Sequence, residues 1–194
     1  MANSAAIRAS MLFLTLFVIS CSKPIKSKQQ LIEYLNDPKH GLVKTEEVNR
    51  IKATITFKPW QSIAKNYDKK DSSVLRNIKK RVYFVFSLSQ NDKEVIRQLP
   101  FSKYSEMVQI LAFRMRPLVS IVTDDGTVAE AEDCLFQQTY GMAKENELLL
   151  IFDRSKLQNA KTLDIKIKEF GLNTGDLDFN LQMNDIKDIP NISF

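Results

Sequence analysis

Histidine and cysteine are almost missing from this chain, which has one imidazole, His40, and two thiols, Cys21 and Cys134, in 194 residues. A zinc site built in the usual way needs three or four Cys or His ligands, so one His and one spare Cys cannot assemble it. Any Ser/His/Asp or Cys/His mechanism would have to use His40. That residue lies in the turn-forming stretch DPKHG beside Gly41, where a solvated imidazole is expected rather than a catalytic one. An excess of one charge is also missing: the formal net charge is +5, and without residues 1–20 there remain 27 basic and 23 acidic residues. So small a surplus does not make a phosphate-tracking face, and no nucleic-acid partner is expected. No apolar run is long enough to span a bilayer either. MLFLTLFVI, Met11 to Ile19, would reach about 14 Å as a helix, roughly half the hydrocarbon core, and reads as the core of a signal peptide.

What is present is ordinary globular material, 44% hydrophobic and 26% charged. A mature chain of this size buries about 70% of its unfolded surface in one domain, so neither cofactor nor metal is needed to hold it together and no cofactor is expected.

The apolar core runs into Val18, Ile19, Ser20 and Cys21: an aliphatic residue three before a cysteine, a tolerated one, a small one, then the thiol. This resembles the lipobox of bacterial lipoprotein signal peptides. The resemblance implies cleavage between Ser20 and Cys21, a diacylglycerol on the Cys21 sulfur, and acylation of the new amino terminus by a fatty acid such as palmitate. At about 0.8 kcal/mol per buried CH₂, two or more chains hold a protein stably on a membrane. A plain secretory signal followed by an incidental cysteine is the alternative. Ser22 is not the acidic residue linked with inner-membrane retention, which points to the outer membrane. Lys23 to Lys26 are no acidic display run, which points to a periplasm-facing domain. The expected organisation is a cleaved signal peptide at 1–20, a lipidated tether at 21–26 and one domain at 27–194.

Along that domain the pattern alternates between helix and strand. Ser27 is placed to cap KQQLIEYLND, with Leu31, Ile32 and Leu35 on one face. LVKTEE, VNR and IKATITF read as a hairpin ended by Pro59. Helical pieces follow over 60–80, with Ser72 or Ser73 as cap for VLRNIKK. This segment holds seven basic residues between Lys65 and Arg81 against Asp68 and Asp71. Its simplest reading is a solvated helix face; a patch for lipid headgroups, lipopolysaccharide phosphates or an acidic partner is the functional alternative. RVYFVFSLS is a strong strand, and a helix over about 102–116 carries Tyr104, Met107, Val108, Leu111 and Met115 before Pro117. LVSIVT, a turn at Asp124 to Gly126, and TVAEAEDCLFQQTY read as a second hairpin. ELLLIF reads as a central strand buried on both faces, and TLDIKIKEF and LDFNLQM as half-buried strands. The expected fold is α+β, mainly antiparallel and sandwich-like, with about eight strands and about three helices.

No constellation carries obvious chemistry. Asp124, Asp125, Glu130, Glu132 and Asp133 are dense, but TDDGTVAEAED does not match a calcium loop, and no metal is expected. Cys134, among apolar neighbours in DCLFQQTY, reads as a buried structural thiol. FGLNTG has no lysine after its glycines and reads as a turn. Carboxylate pairs for glycoside hydrolysis are not marked by sequence.

YLNDPKHGLVKTEEVNRIKATITFKP, QTYGMAKENELLLIF, EFGLNTGDLDFNL and the terminal IPNISF together resemble a family of uncharacterised lipoproteins of about 200 residues from Gram-negative, gut-type bacteria. The resemblance implies an anchor and one domain but no activity; where such chains carry Gly after the hairpin Asn, this one has Arg50, which leaves the turn type open. The expectation is a non-enzymatic binding or scaffolding lipoprotein with a protein partner in the cell envelope. Its alternatives are an accessory subunit of a secretion or conjugation apparatus and a periplasmic hydrolase of cell-wall or glycan material. A cleft holding two carboxylates of raised pKa would favour the hydrolase, and an exposed apolar patch or unpaired edge strand would favour a partner.

Overall fold

The computed structural model describes residues 24–65, 67 and 71–193. Ser20 and Cys21 lie outside the described residues, as do Asp68, Lys69 and Lys70 of the basic segment.

Ser27 caps the first helix as its position predicts: its Oγ accepts the Gln30 N–H at 3.2 Å, and α1 (Lys28–Asn36) follows. Leu31 and Leu35 turn inward, whereas Ile32 is 41% exposed. One residue is about 100° of helical rotation, which carries Ile32 past Leu35 and out of the stripe that Tyr34, Leu31 and Leu35 turn to the core. Ile25, read in sequence as tether, is buried. It pairs with Ile192 through an Ile25 N–H to Asn191 carbonyl bond of 2.9 Å and a Ser193 N–H to Ile25 carbonyl bond of 2.9 Å. Ile25 therefore packs with the domain, two residues before the expected boundary at 27.

The hairpin of β1 (Val43–Val48) and β2 (Ile51–Lys58) turns on Asn49 and Arg50, at φ 53° and 66°. Two consecutive left-handed residues make the type I′ connection that matches strand twist, which settles the turn type. Pro59 ends β2 and opens α2 (Trp60–Ala64). The next helix, α3 (Ser72–Lys79), is capped by Asp71 rather than by either serine. The carboxylate accepts from Ser73 N–H at 2.9 Å and Val74 N–H at 3.2 Å, and its charge suits the helix N-terminus.

β3 (Arg81–Gln90) reverses at Asn91 and Asp92 into β4 (Lys93–Glu94). Helix α4 (Phe101–Phe113) buries Met107 and Leu111 and packs against β7 (Asp133–Gln137). β5 (Val119–Thr123) pairs with β6 (Val128–Glu130). The stretch 127–140 is not one arm of a hairpin. Ala131 N–H still donates to Val119 in the β5 sheet at 3.1 Å, but Glu132 N–H donates to Ile151 at 2.8 Å, and β7 continues in the other sheet. β8 (Asn146–Asp153), β9 (Thr162–Ile167), β10 (Leu177–Gln182) and the short α5 (Met183–Lys187) complete the chain.

The result is an antiparallel α+β sandwich, with ten strands and five α-helices among the described residues where about eight and three were expected. The larger sheet has the order β1-β2-β3-β8-β7, with β4 on the end of β3, and the smaller has β10-β9-β5-β6. Ile55, Phe84, Phe86, Leu148, Leu150 and Phe152 face Ile121, Leu163, Ile165 and Phe179 across the core, all at most 2% exposed. Phe86 meets Phe179 edge-on with ring centres 6.4 Å apart, and burial of each such side chain is worth about 2–3 kcal/mol. The outer face of β3 and β8 is covered over only part of its length: α2 and α3 lay Ala64 and Ile78, with Trp60, Ile63, Val74 and Leu75 beside them, on Tyr83, Leu149 and Ile151. Hence ELLLIF is fully buried on its inner face and half-covered on its outer one. The uncovered part forms the floor of a cleft.

Candidate functional site

The cleft encloses about 460 Å³. Its floor crosses three neighbouring strands: Thr56 and Lys58 of β2, Val85 and Ser87 of β3, and Glu147 of β8, with Thr56 opposite Val85 and Ser87 opposite Glu147. One wall is α1, which presents Lys28, Leu31, Ile32, Leu35 and Asn36; α2 adds Ser62, with Lys65 just after it, and Glu145 stands at the β8 side. Strand periodicity explains the floor, since alternate residues of β2, β3 and β8 point away from the core. Lysines therefore come from α1, β2 and the end of α2, while both glutamates come from β8 and the loop before it. The cleft has an aliphatic wall, a hydroxyl-bearing floor, and both lysines and glutamates in its lining.

Glu145 is held in place by a carboxylate elsewhere. Glu94, 1% exposed, accepts from the Thr139 hydroxyl, from Gly141 N–H at 2.9 Å and from Ala143 N–H at 3.3 Å. It thus organises the loop that leads into Glu145. Gln138 Nε2 donates to the Tyr104 hydroxyl at 2.8 Å, and Arg97 lies over the Tyr104 ring, so α4 braces the same loop. Asn146 is fully buried and its Oδ1 accepts from Ile96 N–H at 3.1 Å, while its Nδ2 has no partner.

The lining residues include neither imidazole nor thiol. His40 stacks on Tyr34 with ring centres 3.7 Å apart, at the turn after α1. Burial pushes the Tyr34 hydroxyl above its ordinary value, helped by the charges of Asp188 and Asp185. Cys134 lies on the inner side of β7 opposite Leu150, and burial, reinforced by Asp133, pushes its thiol up to about 12.

Asp124, Asp125 and Glu132 of the acidic cluster are engaged in local bonds. Asp124 accepts from Lys161 N–H at 2.7 Å and Asp125 from Thr123 Oγ1 at 2.5 Å, and each carboxyl lies below its ordinary value because of those bonds. Glu132 pairs with Arg81 at 2.7 Å. Among the described residues no three His, Cys, Asp or Glu side chains converge as metal ligands. FGLNTG wraps a carboxylate instead of a phosphate: Glu169 accepts from Gly171 N–H at 2.7 Å, Asn173 N–H at 2.9 Å and Thr174 Oγ1 at 3.1 Å. Burial raises that carboxyl, and these bonds, with Gly175 N–H, outweigh it and hold it below its ordinary value. Every described carboxylate with a displaced ionisation is displaced downward.

Partner-type features lie elsewhere. Phe101 and Met142 are 86% and 85% exposed, and β7 is an edge strand whose outward Leu135 is half exposed. Among the described residues no helix is long and apolar enough to cross a membrane. The cleft residues Thr56, Ser62, Val85, Ser87, Glu145 and Glu147 were not singled out by sequence. They come from four separated segments, and only the outward phase of the strands hinted at the floor.

Comparison with known protein families, with curated proteins and with solved structures finds no match to this chain.

Proposed function

We propose that the protein is a lipid-anchored, non-enzymatic binding module, carried on Cys21 at the outer membrane with its domain on the periplasmic side. Its cleft takes an extended segment of an envelope partner. The observation that carries the binding part of this reading is the cleft lining: an aliphatic wall with both lysines and glutamates beside it, and no imidazole or thiol among its residues. Such a lining suits a chain segment bearing apolar and oppositely charged groups. The anchor rests on the lipobox around Cys21.

A photo-crosslinking residue placed at Ile32, on the exposed edge of the cleft, is expected to give one discrete envelope-protein adduct. Ser62→Trp, which fills the cleft from α2, should abolish that adduct while leaving the melting temperature close to wild type. An adduct that survives Ser62→Trp, or none at all, contradicts the binding role.

A second reading, a periplasmic hydrolase, draws support from one observation: Glu145 and Glu147 line the same cleft. Hydrolysis of purified cell-wall material that Glu145→Gln and Glu147→Gln each abolish would replace the binding reading with this one.

A further inference from the structure

The place where the chain joins the fold fixes which face looks at the membrane. Four residue steps separate Cys21 from Ile25, and an extended chain covers at most about 14 Å in that distance. The headgroup layer itself is about 5–8 Å deep on each side of the hydrocarbon. Ile25 is locked to the body by its pairing with Ile192, so the surface around Ile192 is confined to the neighbourhood of the headgroups once Cys21 carries lipid.

That surface holds the chain's single tryptophan and much of its basic segment. Ile192 and Ser193 line one shallow depression together with Trp60, Gln61, Ala64, Lys65 and Leu75. Lys79 Nζ lies 4.7 Å over the Trp60 ring. Arg76 on α3 and Lys80 at its C-cap, four apart, are exposed on the side away from buried Ile78. Lys26 and Lys28 flank the same point of attachment. Asp71 is committed to capping the far end of α3. Resting on the anchored reading above, we propose that α2 and α3 form a membrane-facing platform: Trp60 at the lipid interface, with Arg76, Lys79 and Lys80 on the phosphates of anionic headgroups. An aromatic ring with cations beside it is the composition that membrane interfaces favour, and cations near the surface are drawn to anionic headgroups. The basic segment between Lys65 and Arg81 is then more than a solvated helix face.

The lipidated full-length protein, reconstituted in vesicles whose acyl chains are brominated near the headgroup, reports this through Trp60 fluorescence. Quenching is expected in phosphatidylglycerol-containing vesicles, and it should fall roughly twofold in pure phosphatidylcholine and in Arg76→Glu/Lys80→Glu, which leaves Lys79 on the ring. Flotation is scored on the same samples. Protein that floats with Trp60 unquenched, or quenched equally in the charge-reversed variant, overturns the platform and leaves the anchor standing. Protein that does not float refutes the anchor, and with it the orientation. Arg76→Gln/Lys80→Gln, with quenching between wild type and the reversed variant, guards against an effect of misfolding.

Discussion

Single carboxylates do much of the work of shaping the loops. Glu169 closes the 169–175 loop by accepting from two backbone N–H groups and a threonine hydroxyl, and Glu94 does the same for 139–143. Because Glu169 is held below its ordinary value, its contribution to stability is present above the unfolded carboxyl pKa of about 4.3. It is lost as pH falls through the lower folded value. Glu169→Gln should therefore lower stability at neutral pH by about 1–2 kcal/mol and flatten the acid limb of a urea-midpoint profile below about pH 4.5. An unchanged acid limb would remove this residue from the account. Such roles were invisible in the sequence: Glu169 sits beside a plainly turn-like FGLNTG, but nothing local shows that its carboxylate sits inside the turn. Ser27 as cap and Cys134 as buried thiol were legible because a cap and an apolar neighbourhood are local properties.

At the level of elements, strand alternation carried the reading well and sheet membership did not. Ile51, Ala53, Ile55 and Phe57 do form the buried side of β2, and Leu177, Phe179 and Leu181 that of β10. The stretch after Gly126 leaves one sheet at Ala131 and joins the other at Glu132. The alternation changes phase there, from buried Ala129 and Ala131 to buried Cys134 with Glu132 and Asp133 both exposed, but a phase change alone does not say which sheet the next strand enters. The first hairpin supplies a sharper test. Arg50 occupies the left-handed region at φ 66°, which costs a residue with a Cβ about 1 kcal/mol, and glycine is the favoured second residue of this turn. Arg50→Gly should raise stability by about 1 kcal/mol in chemical denaturation. A loss of stability would mean that the Arg50 side chain contributes more than its backbone costs.

Over the whole molecule, one arrangement ties the features together: a two-sheet sandwich, a cleft on the outer face of its larger sheet, and a buried Ile25 paired with Ile192 beside the α2–α3 surface. The fold class was readable from sequence because apolar periodicity dominates it. The cleft was not, since its walls are α1 and α2, whose position over β2 and β3 is a matter of tertiary packing. Everything proposed for localisation and orientation depends on Cys21. Metabolic labelling with a radioactive fatty acid, followed by membrane fractionation, tests it directly. The account predicts label on the wild-type protein in the outer-membrane fraction, and neither label nor membrane association for Cys21→Ser. Label that persists in Cys21→Ser, or a wild-type protein that is never labelled, contradicts it.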